Sequence, residues 1–109
     1  MNKAIQNTKL RTAVIGAGKM GAIHAKVYDQ LPESDFVAVV DIDAAKAQSL
    51  ADQYHCLAST DCSDILDKVD AVTIATPTVT HLKLAEIFIK NKIAVLIEKP
   101  LATNVKEGR

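Results

Sequence analysis

One stretch of this chain leaves few folds open to it. Gly16-Ala17-Gly18-Lys19-Met20-Gly21 stands directly after a strand-like run, Leu10 to Ile15, and directly before a segment in which Met20, Ile23, His24, Val27 and Leu31 recur at helical spacing as far as Pro32. A strand that passes through a tight glycine turn into a helix is the first half of a crossover unit, the connection that joins parallel strands. Gly16 permits the turn, and Gly21 lets the helix lie close against the strand it has just left.

The same alternation continues along the chain. Phe36 to Val40 is an apolar run too short for a helix and suited to a strand covered on both faces, closed by Asp41. Asp43 is placed to cap a helix from Ala44 to about Tyr54, because a carboxylate accepts from the free N–H groups of a first turn. A short third strand falls around Cys56 and Leu57, and Ser59, Thr60 and Asp61 offer caps for a brief helix carrying Ile65 and Leu66. Ala71 to Ala75 reads as a fourth strand broken by Thr76-Pro77. Leu82, Leu84, Ala85, Phe88 and Ile89 mark another helix stopped by Asn91, and Ile93 to Ile97 forms a fifth strand. This rhythm predicts an α/β fold, a doubly wound parallel sheet of Rossmann type. With 109 residues, 49% of them apolar, the chain fits one such domain, or part of something larger.

Composition removes several function classes. Thirteen basic and 13 acidic side chains cancel, so no overall field draws the chain to nucleic acid or to an anionic membrane. The basic residues Lys3, Lys9 and Arg11 precede no apolar run of signal-peptide length, and no segment approaches a membrane span, which places the chain in the cytoplasm as an expectation. Two cysteines, Cys56 and Cys62, lack a second ligand pair and read as reduced thiols, with no metal site.

The chemistry must therefore be local. Gly18 lets backbone approach a pyrophosphate, whose charge suits the free N–H groups of the helix start, although a glycine turn without a ligand would carry the same letters. An acid about 20 residues beyond Gly21 turns this into a dinucleotide-site pattern, and that acid is Asp41, placed to accept from the ribose hydroxyls or else a solvated end to its strand. No arginine adjoins Asp41. The nearest cation, Lys46, could turn either way, so NAD is the expected cofactor and NADP stays open. Ala75-Thr76-Pro77-Thr78 leaves the fourth strand at the sheet's carboxyl edge, with His81 one turn on; taken alone, such a histidine is more often a packing or helix-end residue than a catalyst, and His24 and His55 have weaker claims. Ile97-Glu98-Lys99-Pro100 ends the fifth strand with two opposite charges, either a surface ion pair or part of a site. Glycine turn, Thr-Pro break and Glu-Lys-Pro all leave one sheet edge and together frame one cleft.

These residues resemble the Gfo/Idh/MocA oxidoreductases, named for glucose-fructose oxidoreductase and inositol dehydrogenase. The resemblance rests on Ala-Val-Ile-Gly-Ala-Gly-Lys-Met-Gly with His24-Ala25, on Val-Val-Asp-Ile-Asp, on Ala-Thr-Pro-Thr-Val-Thr-His and on Val-Leu-Ile-Glu-Lys-Pro-Leu-Ala, and covers nearly the whole chain after Lys9. Glu-Lys-Pro is its specific part. The resemblance implies a nicotinamide site touched by Gly16, Gly18, Lys19, Met20, Gly21, Asp41, Ile42, Ala75, Thr76, Pro77, His81 and Glu98. Lys99 would be the catalytic residue that hydrogen-bonds the reacting hydroxyl, with Lys99-Pro100 a candidate cis bond. Where the family often has Asn after the proline, this chain has Thr78, which keeps the helix cap and puts one ligand contact in question.

The family pattern also implies a second, larger α+β domain that carries substrate contacts and the interface of a homo-oligomer. Asn104 and Glu107 are spaced as a capping box in a helix that the sequence does not continue, so residues 1–109 read as the dinucleotide-binding domain of a longer protein. The leading function is a dehydrogenase acting on a secondary alcohol of a sugar, cyclitol or nucleotide sugar. A non-catalytic NAD(H) sensor would need the glycine turn and Asp41 but have no use for Lys99. An S-adenosylmethionine-dependent methyltransferase is opposed by the third glycine and by Glu-Lys-Pro.

Overall fold

The computed structural model describes residues 9–76 and 78–97, with side chains outside 78–82 and 97. A five-stranded sheet, all parallel, runs in the order β3-β2-β1-β4-β5, built from β1 (Leu10–Ile15), β2 (Ser34–Val40), β3 (Leu57–Ser59), β4 (Ala71–Ile74) and β5 (Ala94–Ile97). Helices α1 (Lys19–Gln30), α2 (Ala44–Tyr54) and α3 (Thr78–Lys90) connect them, and a single 3-10 turn, Cys62–Ile65, stands where a brief helix was expected. Strand order reverses between β1 and β4, the mark of a doubly wound sheet.

Several boundaries differ from the sequence expectation for local reasons. β2 starts at Ser34, two residues before Phe36, because Leu10 and Arg11 pair with Ser34 and Asp35 ahead of a register shift at Thr12/Ala13. The shift is bridged by Thr12 Oγ1 and Ser34 Oγ, 2.8 Å apart. β3 begins at Leu57 and runs to Ser59, beyond the expected Cys56 and Leu57, since Ala38, Val39 and Val40 pair with Leu57, Ala58 and Ser59. Ala75 stands just past β4, and Ile93 just before β5 donates its N–H to Phe88 O at 3.0 Å as part of the stop of α3. That stop is the one Asn91 signalled: its side-chain amide donates to Ile87 O at 2.8 Å, and Lys92 follows with φ of 61°. Asp43 caps α2 as expected, accepting from the N–H groups of Ala45 and Lys46 at 3.1 and 3.2 Å. His55 ends the same helix in the left-handed region, φ 56°.

Alternation along the strands divides the core between two faces. Ala13, Ile15, Ala38, Val40, Val72 and Ile74 pack with Cys62, Ile65, Val69, Ala85 and the fully buried Phe88. Val14 and Val39 pack with Ala25 of α1 and with Ala47, Leu50 and Ala51 of α2. Beside this second cluster Phe36 lies between Tyr28 and Tyr54, with ring centroids 6.0 and 5.6 Å away.

The apolar periodicity that identifies α1 does not identify its buried face. Gly21 and Ala25 are buried, whereas Ile23 is 53% and Val27 46% exposed, with Met20 and Leu31 exposed as well. Gly21 is the cause. A Cβ placed there would lie 1.8 Å from Gly16 O and 3.4 Å from a Val14 methyl, so the helix backbone rests on the turn and the gap to the sheet admits only small side chains. The larger residues sit on the helix flank. Urea denaturation should accordingly show Ile23→Gln within about 0.5 kcal/mol of the parent chain, Ala25→Leu destabilised by about 1–3 kcal/mol through overpacking, and Phe88→Ala by about 3–5 kcal/mol.

Candidate functional site

The carboxyl ends of the strands are laced together where the order reverses. Gly16 N donates to Val40 O at 2.7 Å, Ala75 N to Ile15 O at 2.8 Å, and Asp41 N to Ser59 O at 3.0 Å, so the loops leaving β1, β2, β3 and β4 start from one fixed rim. A cavity of about 740 Å³ opens on this rim. Its walls include Gly16 and Gly18 from the glycine turn, Asp41, Ile42, Asp43 and Lys46 after β2, Thr60, Asp61 and Cys62 after β3, Ala75 and Thr76 after β4, and Leu84 and Ile87 of α3. Open α/β sheets bind ligands at this switch point.

The three glycines do three different things. Gly16 has φ of +109°, which L side chains avoid, and a Cβ on it would meet the Ala75 carbonyl carbon at 2.9 Å. Gly21 supplies the close helix approach. Gly18 is the N-cap of α1, yet among the described residues no side-chain cap bond is made at that helix start, and a Cβ built on Gly18 meets nothing within 4 Å. No acidic residue lies in the first turn either. An uncapped helix start with open space at its cap is a site for an oxyanion, since the unpaired N–H groups and the helix dipole both favour negative charge.

Asp41 stands beside that space. Its Oδ2 accepts from Ala17 N at 2.7 Å and its Oδ1 from Asp43 N at 2.8 Å. Asp43 is occupied as the cap of α2, and Ile42 between the two acids is 93% exposed at the cavity mouth. Asp61 accepts from the N–H and hydroxyl of Ser63, both at 2.9 Å, and these bonds hold its carboxyl below the usual carboxylate range. Burial pushes the Cys62 thiol up to about 11, with Asp61 adding to the effect, and burial raises Cys56 to about 11 as well. Neither is poised as a thiolate nucleophile. Among the described residues no group of His, Cys, Asp and Glu could hold a metal ion, and no helix is long and apolar enough to cross a membrane.

Of the residues singled out in the sequence, Gly16, Gly18, Asp41, Ile42, Ala75 and Thr76 come together around the cavity. Gly21 lies beneath the turn, and Lys19 and Met20 begin α1 without being among the described residues that line the space. Helix α3 includes position 81, but the His81 side chain, Pro77, Glu98, Lys99, Pro100 and the Asn104–Glu107 capping box lie outside the described residues. Ile97 pairs with Ile74 at the end of β5. Sequence reasoning did not assign Thr60, Asp61, Cys62, Leu84 or Ile87 to the site. The first three follow a strand end exactly as Asp41 does in kind, and the rule that strand carboxyl ends face the ligand would have found them; the other two require the three-dimensional placement of α3.

The family model described as an oxidoreductase family with an NAD-binding Rossmann fold, Gfo/Idh/MocA, matches residues 10–109. The chain is 38% identical over 99 residues to the UDP-N-acetylglucosamine 3-dehydrogenase of Acidithiobacillus ferrooxidans, covering 91% of this chain and 31% of that protein. It is 36% identical over 101 residues to the inositol 2-dehydrogenase of Rhizobium meliloti, covering 92% of this chain and 31% of that protein. Among solved structures, GenD2 from gentamicin A biosynthesis in complex with NAD matches with a TM-score of 0.83 at 38% identity, over 86% of this chain and 28% of the other. The chain thus spans less than a third of the length of these relatives.

The glycine geometry separates folding from binding. Gly21→Ala should destabilise the chain by about 1–3 kcal/mol or more, the range for forced overpacking, read as a lowered urea midpoint. Gly18→Ala should leave that midpoint within about 0.5 kcal/mol of the parent and lower NADH affinity about tenfold or more, because its methyl occupies the anion space.

Proposed function

Since the chain belongs to the Gfo/Idh/MocA oxidoreductase family, we propose that it is the dinucleotide-binding part of an NAD-dependent dehydrogenase acting on a secondary alcohol of a sugar, cyclitol or nucleotide sugar. The observation that carries this reading is the uncapped start of α1, open at Gly18, beside the Asp41 carboxylate on the rim of the switch-point cavity. The relatives' names, a UDP-N-acetylglucosamine 3-dehydrogenase and inositol 2-dehydrogenases, support the substrate class.

The residues present fit a nicotinamide dinucleotide. N–H groups at the start of α1 receive the pyrophosphate, and Asp41 accepts from the ribose hydroxyls with the oxygen lone pairs that its two backbone bonds leave over. Ile42 and Ile87 offer apolar surface to the adenine at the cavity wall. When bound, the nicotinamide is the hydride acceptor. Lys99, two positions beyond the last residue of β5 in the sequence, would hydrogen-bond the reacting hydroxyl and relay its proton to solvent as the carbinol hydrogen leaves with its electron pair for the nicotinamide, leaving a ketone. In this reading Pro77, His81 and Glu98 would serve the nicotinamide side, with Thr76 in its wall, and Lys19 and Met20 would flank the pyrophosphate.

Calorimetry should give tighter binding of NADH than NADPH. A 2′-phosphate about 4 Å from Asp41 is opposed by roughly 1 kcal/mol per charge pair in water and about 4 at an effective dielectric of 20, so the Kd ratio should fall between about fivefold and a thousandfold. Equal dissociation constants would contradict the assignment. In a protein of the relatives' length that carries this chain, Lys99→Met should lower kcat by about 10²–10⁴-fold while NADH binding, followed by its fluorescence, changes little. Near-normal turnover would remove Lys99 from the mechanism and favour a sensor of the same cofactor.

A further inference from the structure

We infer that Asp41 is a positioning residue for the glycine turn, so that its loss weakens binding even of a dinucleotide with no ribose hydroxyls to offer it. The inference rests on the cofactor reading above and assigns the acid a task that precedes the cofactor's arrival.

Two short bonds carry it. One carboxylate oxygen accepts from the N–H of Ala17, inside the turn, at 2.7 Å; the other accepts from the N–H of Asp43, in the loop that opens α2, at 2.8 Å. Both distances lie in the range of charge-assisted bonds, which are roughly twice as strong as neutral ones. The side chain therefore staples two loops that leave neighbouring strands. Gly16 N is bound to Val40 O one residue earlier, so the turn is tied to the end of β2 at two successive amides, first by backbone and then by Asp41.

The turn has reason to need this second tie. Gly16 sits at φ +109° and Gly18 caps α1 with no side chain of its own, so the peptides between them lack the stiffness that other residues would give. The N–H groups that receive the pyrophosphate follow directly. If the turn populated other conformations, affinity would fall in proportion to the fraction in the competent one. Each carboxylate oxygen has two lone pairs and spends one here, so the acid holds both loops and still accepts from two hydroxyls. Binding a ribose does not require the staple to open.

Two measurements on the 109-residue chain test this. The first needs no nucleotide: the amide resonances of Ala17 and Asp43 are followed by NMR against pH together with the Asp41 carboxyl carbon. The Ala17 amide should titrate with the same midpoint as that carboxyl. Asp43, Lys46 and Asp61 also border the cavity, and Asp41→Asn identifies their contribution, because the Asp41-linked titration of Ala17 disappears in that variant while theirs remains. An Ala17 amide that ignores the Asp41 midpoint overturns the inference. The second measurement compares NADH with an NADH analogue lacking the 2′- and 3′-hydroxyls of the adenosine ribose, each against the parent chain and Asp41→Ala. The analogue should bind Asp41→Ala about tenfold more weakly than the parent, the scale of one charge-assisted bond. Equal affinity for the analogue would mean that Asp41 acts through the hydroxyls alone and would also overturn it. Should Asp41→Ala not fold, Asp41→Asn, which keeps one acceptor oxygen, serves in the same comparison. Failure of the parent chain to bind NADH at all would instead defeat the cofactor reading, with the amide titration still deciding the staple.

Discussion

The contact on which this structure depends is the seat of α1 on its own glycine turn. With Gly16 O where the Cβ of any other residue at position 21 would be, the helix backbone approaches β1 more closely than a side chain permits. That proximity selects Ala25 one turn along and then lets Tyr28 reach over the sheet to a hydrogen bond with Thr73 Oγ1 on β4. It also aims the start of the helix at the gap where strand order reverses. The seat of the helix, and with it the position of its start, is thus set by Gly21: a larger side chain there would lift the helix from the sheet and carry its N–H groups away from the rim.

Opposite edges of the sheet are built differently. At the amino edge Arg11 clasps Asp70, donating through Nε and Nη2 at 3.2 and 3.0 Å, while the Arg11 N–H donates to the same carboxylate at 2.9 Å. The guanidinium and that N–H hold the Asp70 carboxyl below its ordinary range, so the contribution of the clasp is present above the unfolded carboxyl's titration and lost as pH falls through the folded one. Both side chains are well exposed and the pair is screened accordingly. Among the described residues the carboxyl edge carries no such ion pair across β1 and β4. Its polar groups, Asp41, Asp43, Lys46 and Thr60, border open space. One edge registers the strands and the other is kept for a ligand.

Much of this was legible in the sequence because it depends on local rules. Asp43 as a cap, Asn91 as a stop, the strand centres and the switch-point arrangement follow from side-chain chemistry and period. The buried face of α1 was not, because periodicity reports where apolar residues are and not how close the backbone comes; Ile23 and Val27 match a helix stripe perfectly and still lie outside. β3 escaped by a residue or two because its limits are set by pairing with Ala38–Val40 rather than by its own composition. In the site, glycines and the acid are visible at fixed spacing, whereas Leu84 and Ile87 reach the cavity by the tertiary placement of α3. The engagement of Asp41 with Ala17 and Asp43 is likewise invisible in a linear reading, since spacing assigns an acid to a ligand without saying what else it holds.

That engagement changes how an acid at this position discriminates between cofactors. A carboxylate on a free side chain can rotate away from an approaching phosphate and lower the repulsion at the cost of a rotamer change, about 0.5–1.5 kcal/mol for a strained one. A carboxylate bonded to two backbone amides cannot withdraw without giving up both bonds. It also lies at the approach to two helix starts, through Ala17 before α1 and Asp43 before α2, where the dipoles favour its negative charge. In the proposed binding mode a 2′-phosphate would meet a charge fixed in place, while two hydroxyls would meet acceptors already oriented. On the proposed roles, pinning the acid would strengthen preference in both directions at once and would make substitution of Asp41 a poor route to the phosphorylated cofactor, because the change that removes the repulsion would also release the two backbone amides the carboxylate holds.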